Sequence, residues 1–379
     1  MLTSRERVLT ALDHEEPDRV PVFFGTSGVT SMLAPAYERL KAHLGIERPP
    51  AVLSRAFQYA RIDEEVLVQL GSDGRPLTAG PAPAPLRREI SPSEFVDEWG
   101  IHWRLEPGSV YYSAVAYPLR HATLDDLARY PWPDMGHPNR FAGLRDEALR
   151  IHADGLAVVA LTGVSPFEIC APLRGADVWL LDLVDDPEFA QALLARVSAC
   201  MAASANGIAE AAGDEIDIIL AGDDLGTQSG PTISPALYRR LVKPCHAELV
   251  AGIKQRTRAK VFCHSDGAIY PLIGDLIDVG IDILNPVQVS ARGMGDSARL
   301  KREFGAKLCF CGAIDTQEVL PLGTPADVRR EVRRRIADLA PGGGYILASV
   351  HCLQPDVPVE NVLAMFAEAA VAGRYPLRV

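Results

Sequence analysis

From residue 150 onward the chain alternates two patterns. Short β-branched hydrophobic runs, each closed by glycine or a polar cluster, are followed by longer segments in which apolar residues recur every three or four positions. The runs lie at 156–163, 216–224, 259–267, 281–288, 307–315 and 344–352. Strands separated by helices return to the sheet by crossovers rather than hairpins, so the alternation predicts a parallel sheet. Near the start, Thr3 with Glu6 three positions later has the spacing of a capping box and predicts a short helix, broken at Pro17-Asp18. The run RVPVFFG then reads as a first strand. Ser234-Pro235 and Thr324-Pro325 mark the starts of two later helices, an N-cap followed by proline at the first helical position. One further strand, expected before residue 70, brings the total to eight and predicts an α/β fold of the (β/α)8 TIM-barrel type.

Residues 72–140 depart from this rhythm. They open rich in proline and glycine and then become aromatic in strand-like pieces, which predicts a β-hairpin excursion in the N-terminal half covering one end of the barrel. With that insertion, residues 1–379 read as a single barrel domain. Aromatic residues there suit either a structural flap or a substrate lid.

In such a barrel chemistry is done where the strands end at their carboxyl side, and four of the six runs end in residues a purely structural strand would not choose. Asp223 and Asp224 are adjacent, so only one can face the mouth, and the other is expected to bond the following loop, where Gln228 lies. His264 and Asp266 are two apart and share a face; Asn285 to Gln288 and His351-Cys352 are the other two polar endings. His264, His351 and Cys352 from two strand ends form a candidate zinc site with an open position. Asp223, Asp224 and Asp266 are candidate acid/base groups, and Gln228, Asn285 and Gln288 candidate substrate contacts. Cys311, near a strand end, is a further candidate ligand; the remaining cysteines read as core filler.

The formal net charge of -11 argues against a nucleic-acid groove, which needs a surplus of lysine and arginine. Seven cysteines without disulfide-framework spacing, and no secretory leader, point to a reducing cytoplasm. No apolar run is expected to reach the roughly 18 residues of a membrane span.

The blocks ALDHEEPDRVPV, GDDLGTQSGPTISPALYRRLVKP, HSDG, DILNPVQ, GAIDTQEVLPLGTPADVRREV and LAPGGGYILASVHCLQPDVPVENVLAMF, in this order, resemble the uroporphyrinogen decarboxylase superfamily over almost the whole chain. The resemblance implies a (β/α)8 barrel. Decarboxylases of this superfamily carry an arginine-bearing stretch like RQAGRY after the first strand, which gathers the carboxylates of an acidic tetrapyrrole; the equivalent FFGTSGVTSMLAPAYERL has no arginine before Arg39. The chain is more similar to the corrinoid-linked methyltransferases. Those of the coenzyme M type bind zinc through His-x-Cys and a later Cys. His264 matches the histidine, Asp266 replaces the first cysteine, and His351 or Cys352 stands near the second. Carboxylate and imidazole in place of thiolate make a harder site, better suited to polarising oxygen than to activating a thiol.

The resemblance therefore implies methyl transfer from a small O- or N-methylated substrate to cobalamin carried by a partner corrinoid protein. The sequence holds no Asp-x-His-x-x-Gly corrinoid-binding signature, so the corrinoid is expected on a separate protein. It also implies pairing of two copies through outer helices. Two other readings stand beside it: a metal-free decarboxylase of a small acidic or tetrapyrrole substrate, and a non-catalytic barrel that binds a corrinoid or tetrapyrrole.

Overall fold

The computed structural model describes residues 2–81, 83–163 and 165–378. Seven parallel strands form one curled sheet: β2 (Gly74–Thr78), β3 (Ala157–Leu161), β4 (Ile218–Leu220), β5 (Lys260–His264), β6 (Ile283–Asn285), β7 (Cys309–Ile314) and β8 (Tyr345–Ser349), each bonded to the next in chain order. Residues 20–24, here β1, close the barrel between β8 and β2. The Phe23 N–H donates to Leu347 O, the Leu347 N–H to Pro21 O and the Asp73 N–H to Val22 O, all at 2.9 Å. The (β/α)8 architecture follows, with all six strands of the second half inside the runs that the hydrophobic pattern marked.

One strand is misplaced by the sequence reading. The second barrel strand does not precede residue 70; it is Gly74–Thr78, inside the stretch assigned to the excursion. Its composition, with Pro76 at the centre, imitates a turn. Past Val22 the β1 chain bends away at Gly25 (φ +67°), so Pro76 occupies a position that needs no ladder donor. The excursion itself is a four-stranded antiparallel meander, Arg88–Ser91, Glu94–Val96, His102–Leu105 and Tyr112–Ala116. Phe95, Trp103 and Tyr112 are buried in it, and the Arg55 guanidinium lies 4.4 Å over the Phe95 ring.

The barrel interior is filled by alternate residues of successive strands: Phe23, Ala157, Val159, Ile218, Phe262, Ile283, Cys309, Cys311, Ile346 and Ala348. Val8 and Leu12 of the Ser4–Leu12 helix plug the bottom, and that helix starts with the expected Thr3–Glu6 capping box. Three aspartates repeat one device at the same end. Asp73, Asp217 and Asp282 each precede a strand, and each accepts a backbone N–H of the preceding strand, from Val22, Val158 and Val261 respectively, at 2.7–2.9 Å. Each is also paired with cations or a histidine: Arg7 and Arg19 on Asp73, Arg5 and His152 on Asp217, Lys254 on Asp282. These charge pairs, buried at Asp73 and Asp217 and half-buried at Asp282, staple the floor and leave the other end free for chemistry.

Contrary to the expectation that no run reaches that length, the Pro187–Ala212 helix lies in a segment long and apolar enough to cross a membrane. Its apolar stripe, Phe189, Leu193, Val197, Met201 and Ile208, is buried against neighbouring barrel helices.

Candidate metal centre

Strand parity decides which polar residues meet. On β5, Phe262 points into the barrel and His264, two residues on, continues the same face into the mouth. On β6, Ile283 and Asn285 share the inner face. On β4, Ile218 and Leu220 are inward, so Asp224 follows them into the mouth while Asp223 points outward to the helices. Beyond β5 and β8 the chain leaves regular geometry, and two further residues swing in: Asp266 and His351.

One coordinating atom each of His264, Asp266 and His351 lies within 4.8 Å of the other two. The Asp266 Oδ2 is 3.6 Å from His264 Nε2 and 3.7 Å from His351 Nε2, and the two imidazole centroids are 5.3 Å apart. Zinc bonds of about 2.0–2.1 Å to nitrogen and oxygen in a tetrahedron set neighbouring donors about 3.4 Å apart, so the two carboxylate–imidazole separations match to within a few tenths of an ångström. Two further observations fit a cation. Asp266 Oδ1 is buried with no hydrogen-bond partner. The His264 Nδ1–H donates to Asn285 Oδ1 at 2.7 Å, and Asn285 is itself fixed by donating from Nδ2 to Cys311 O at 3.1 Å; this leaves the Nε2 lone pair free for a ligand. Three protein donors leave a fourth position open, the arrangement of catalytic zinc.

The electrostatics agree. Burial pushes the His264 imidazolium down, but the Asp266 and Asp224 carboxylates outweigh it and hold the ring up to about 9. Burial would raise the Asp266 carboxyl, yet the His264 charge beside it keeps it below its usual range. His351 is pushed down to about 4 by burial, with His264 adding to the effect, and is a neutral imidazole at pH 7. A proton on His264 balances the aspartate in the bare site; a divalent cation would take its place.

Cys352 is the remaining expected ligand. Among the described residues it stands outside the convergent group, and its fully buried thiol lies 3.1 Å from His351 Nδ1. Without a metal, burial pushes the thiol up to about 12, and it lies against the His351 ring on the side away from Nε2. Cys311 is also buried, inside the barrel, and offers its carbonyl to Asn285.

The other candidates divide sharply. Asp223 is fully buried: it accepts from the Phe167 and Glu168 N–H groups at 2.7 and 2.9 Å, so it caps the Pro166–Arg174 helix, and it takes the His246 Nε2–H at 2.9 Å. Asp224 faces the mouth and accepts the Asp266 N–H at 2.8 Å; burial and the Asp266 charge raise it to about 6. Gln288 is buried and accepts the Gly267 N–H at 2.7 Å, so with Asn285 it holds the His264–Asp266 loop. Gln228 lies exposed on the rim. The two loops touch closely: a Cβ on Gly226 would sit 2.2 Å from Asp266 O, and one on Gly222 2.5 Å from His264 N.

Glu168 is missing from the sequence-derived set. It sits at the third position of the Pro166–Arg174 helix, where an acidic residue usually only complements the helix dipole. Here it is accessible from the mouth, yet burial, with Asp224 and Asp223 adding, pushes its carboxyl up to about 7. The strand end before it carried no polar signal to draw attention.

No curated protein matches the sequence. Among solved structures, a methyltransferase from Methanosarcina mazei superimposes with a TM-score of 0.65 over 98% of this chain and 99% of its own, at 18% identity, a likeness of fold. The β-glycosidase of Thermosphaera aggregans (TM-score 0.38, 11% identity, 80% of this chain and 83% of that one) aligns too loosely to bear on fold or function. The same holds for the β-mannanase of Alicyclobacillus acidocaldarius (TM-score 0.33, 14% identity, 63% and 83%). Residues 97–371 match the family described as uroporphyrinogen decarboxylase (URO-D), covering most of the barrel with its helices. The chain belongs to the URO-D family.

Proposed function

We propose that this protein is a zinc-assisted methyltransferase that moves a methyl group from a small O- or N-methylated substrate to cobalamin on a partner corrinoid protein. The observation that carries this reading is the convergence of His264, Asp266 and His351, with the orphaned Asp266 Oδ1, at the mouth of the barrel. Bound there, zinc would supply Lewis acidity toward the leaving heteroatom, and two nitrogens with one carboxylate oxygen form a set hard enough for that task. The chain's own groups supply the rest. Asn285 fixes the His264 tautomer, Asp224 and Gln288 hold the Asp266 loop through its backbone, and Glu168 carries a proton near neutral pH that it can give to the departing atom. The likeness to the Methanosarcina mazei methyltransferase accords with this branch of the family.

A decarboxylase of acidic substrates fits less well. Three carboxyl groups, Glu168, Asp224 and Asp266, line the mouth, and the loop after β1 contributes buried hydroxyls instead of arginines. Thr26 and Thr30 bond each other at 2.9 Å, and Ser31 donates to Ala60 O at 2.7 Å. A polyanion would meet like charge with no arginine from that loop to pair with it.

The test is turnover. Purified protein loaded with zinc is mixed with cob(I)alamin and a panel of methyl ethers and methylamines, and loss of the cobalt(I) absorbance is followed. Methylation of cobalt that stops on zinc removal supports the proposal. Release of carbon dioxide from a carboxylic substrate by zinc-free protein, with no methyl transfer, overturns it.

A further inference from the structure

Tyr59 stands over the candidate centre and belongs to none of the roles assigned above. It begins the strand Tyr59–Arg61 of a hairpin inserted between β1 and β2. A small backbone ladder ties it to the end of β8: the Ala60 N–H donates to Met32 O at 2.8 Å, and the Leu33 N–H to Leu353 O at 2.9 Å, two residues from His351. Its ring is clamped. Phe57 stacks on one side with centroids 5.5 Å apart and planes 16° from parallel, and the His351 ring lies 6.3 Å away. The backbone of Gly28 lies so close that a Cβ there would sit 2.3 Å from the tyrosine ring.

The hydroxyl of this fixed ring has no protein partner among the described residues. Other tyrosines do have one: Tyr37 donates to Asp63 and Tyr345 to Gly312 O, while Tyr111 accepts from the Gln354 amide. The approach of its ring to the His351 ring, 6.3 Å between centroids, sets it beside the centre. A phenol held in place beside a cation site, with an O–H that no protein group uses, is free to donate to a bound molecule.

We propose that Tyr59 is a further catalytic residue whose O–H donates a hydrogen bond to the oxygen released when a methyl ether is cleaved. The inference rests on the methyl-transfer reading and narrows it to oxygen leaving groups. The methyl–oxygen bond breaks with its electron pair left on oxygen. The methyl carbon bonds through the electron pair of the acceptor's cobalt(I), which formally becomes cobalt(III). Tyr59 keeps its proton while stabilising the oxyanion, which then takes a proton from Glu168 or water. An amine released from a methylammonium substrate carries no negative charge and gains little from this donor.

The test compares wild type with Tyr59→Phe on two panels: methyl aryl ethers from anisole to 4-nitroanisole, and quaternary methylammonium compounds, with cob(I)alamin as acceptor. Loss of one oxyanion donor lowers kcat/KM on anisole about 100-fold. The loss shrinks for 4-nitroanisole, whose phenolate needs less help, and vanishes for any methylammonium substrate; zinc content and the unfolding midpoint stay unchanged. A loss uniform across all substrates, or none, overturns the assignment while leaving the methyl-transfer reading intact. A second arm needs no turnover: binding of 4-nitrophenol to the zinc-loaded protein, read from its visible absorbance, weakens about 10-fold in Tyr59→Phe. Equal binding, or no binding to wild type, overturns the proposal. Tyr59-dependent binding without methyl transfer keeps Tyr59 as the oxygen donor and removes the reaction.

Discussion

Replacing Asp223 by asparagine separates a scaffold role from a chemical one at the adjacent pair Asp223-Asp224. The Asp223 carboxylate is fully buried, and both its oxygens are used: Oδ2 by the Phe167 N–H at 2.7 Å and the His246 Nε2–H at 2.9 Å, Oδ1 by the Glu168 N–H at 2.9 Å. Asparagine can keep the two bonds at one oxygen, weakened by loss of the charge. Its amide NH2 then faces the Glu168 N–H, donor against donor. A lost hydrogen bond to a charged acceptor costs about 1.5–3 kcal/mol, and an unpaired buried N–H about 1–3 kcal/mol more. Asp223→Asn is therefore expected to lose about 3–5 kcal/mol of stability, read as a lower urea midpoint at unchanged slope. Zinc binding by the folded fraction should persist, because no ligand is touched. A variant as stable as wild type but inactive would refute this reasoning and return Asp223 to the chemistry.

Three further outcomes follow from the same geometry. Cys352→Ser should retain zinc and lose only about 1–2 kcal/mol of stability, as checked by metal analysis and denaturation; loss of the metal would make the thiol a ligand after all. Asn285→Ala removes the acceptor that fixes His264 and should weaken zinc about 10- to 100-fold in a chelator competition, whereas an unchanged affinity would leave Asn285 a packing residue. For Glu168 the sign is set by its raised folded value, about 7 against an ordinary 4.5. The folded protein holds this proton where the unfolded chain has released it, so the contribution to stability is full below about 4.5 and is lost as pH rises through 7. Glu168→Gln should flatten the decline in stability between pH 5 and 7, and an identical pH profile in the variant would count against the raised value.

The architecture was legible because strand and helix periods are written plainly across residues 150–379, and because parity along a strand fixes which side chains point inward. Parity also explains Asp223 and Asp224: one of two neighbours must face the helices, and β4 selects the first. Legibility ends where strands end. His351 and Asp266 lie beyond the last paired residues of β8 and β5, so alternation no longer says which way they turn. Cys352 keeps the inward phase of Ile346 and Ala348, yet the chain has already left the strand, and it is His351 that reaches the cluster. Gly74–Thr78 was hidden by its proline, and Glu168 by a setting, Ser165-Pro166-Phe167-Glu168, that imitates an ordinary helix start. In the structure the Ser165 side chain makes no cap bond, and Asp223 supplies that function from 55 or more residues away. Tyr59 gave no local signal, since its position depends on the ladder through residues 31–33 to Leu353.

The account stands on a single cation held by His264, Asp266 and His351, and elemental analysis of the purified protein after exhaustive dialysis against metal-free buffer tests it most directly. About one zinc per chain in wild type, falling to near zero in both His264→Ala and His351→Ala while each variant stays folded, is the expected result. Wild type that takes up no zinc when it is offered, or His351→Ala that retains it in full, would contradict the account.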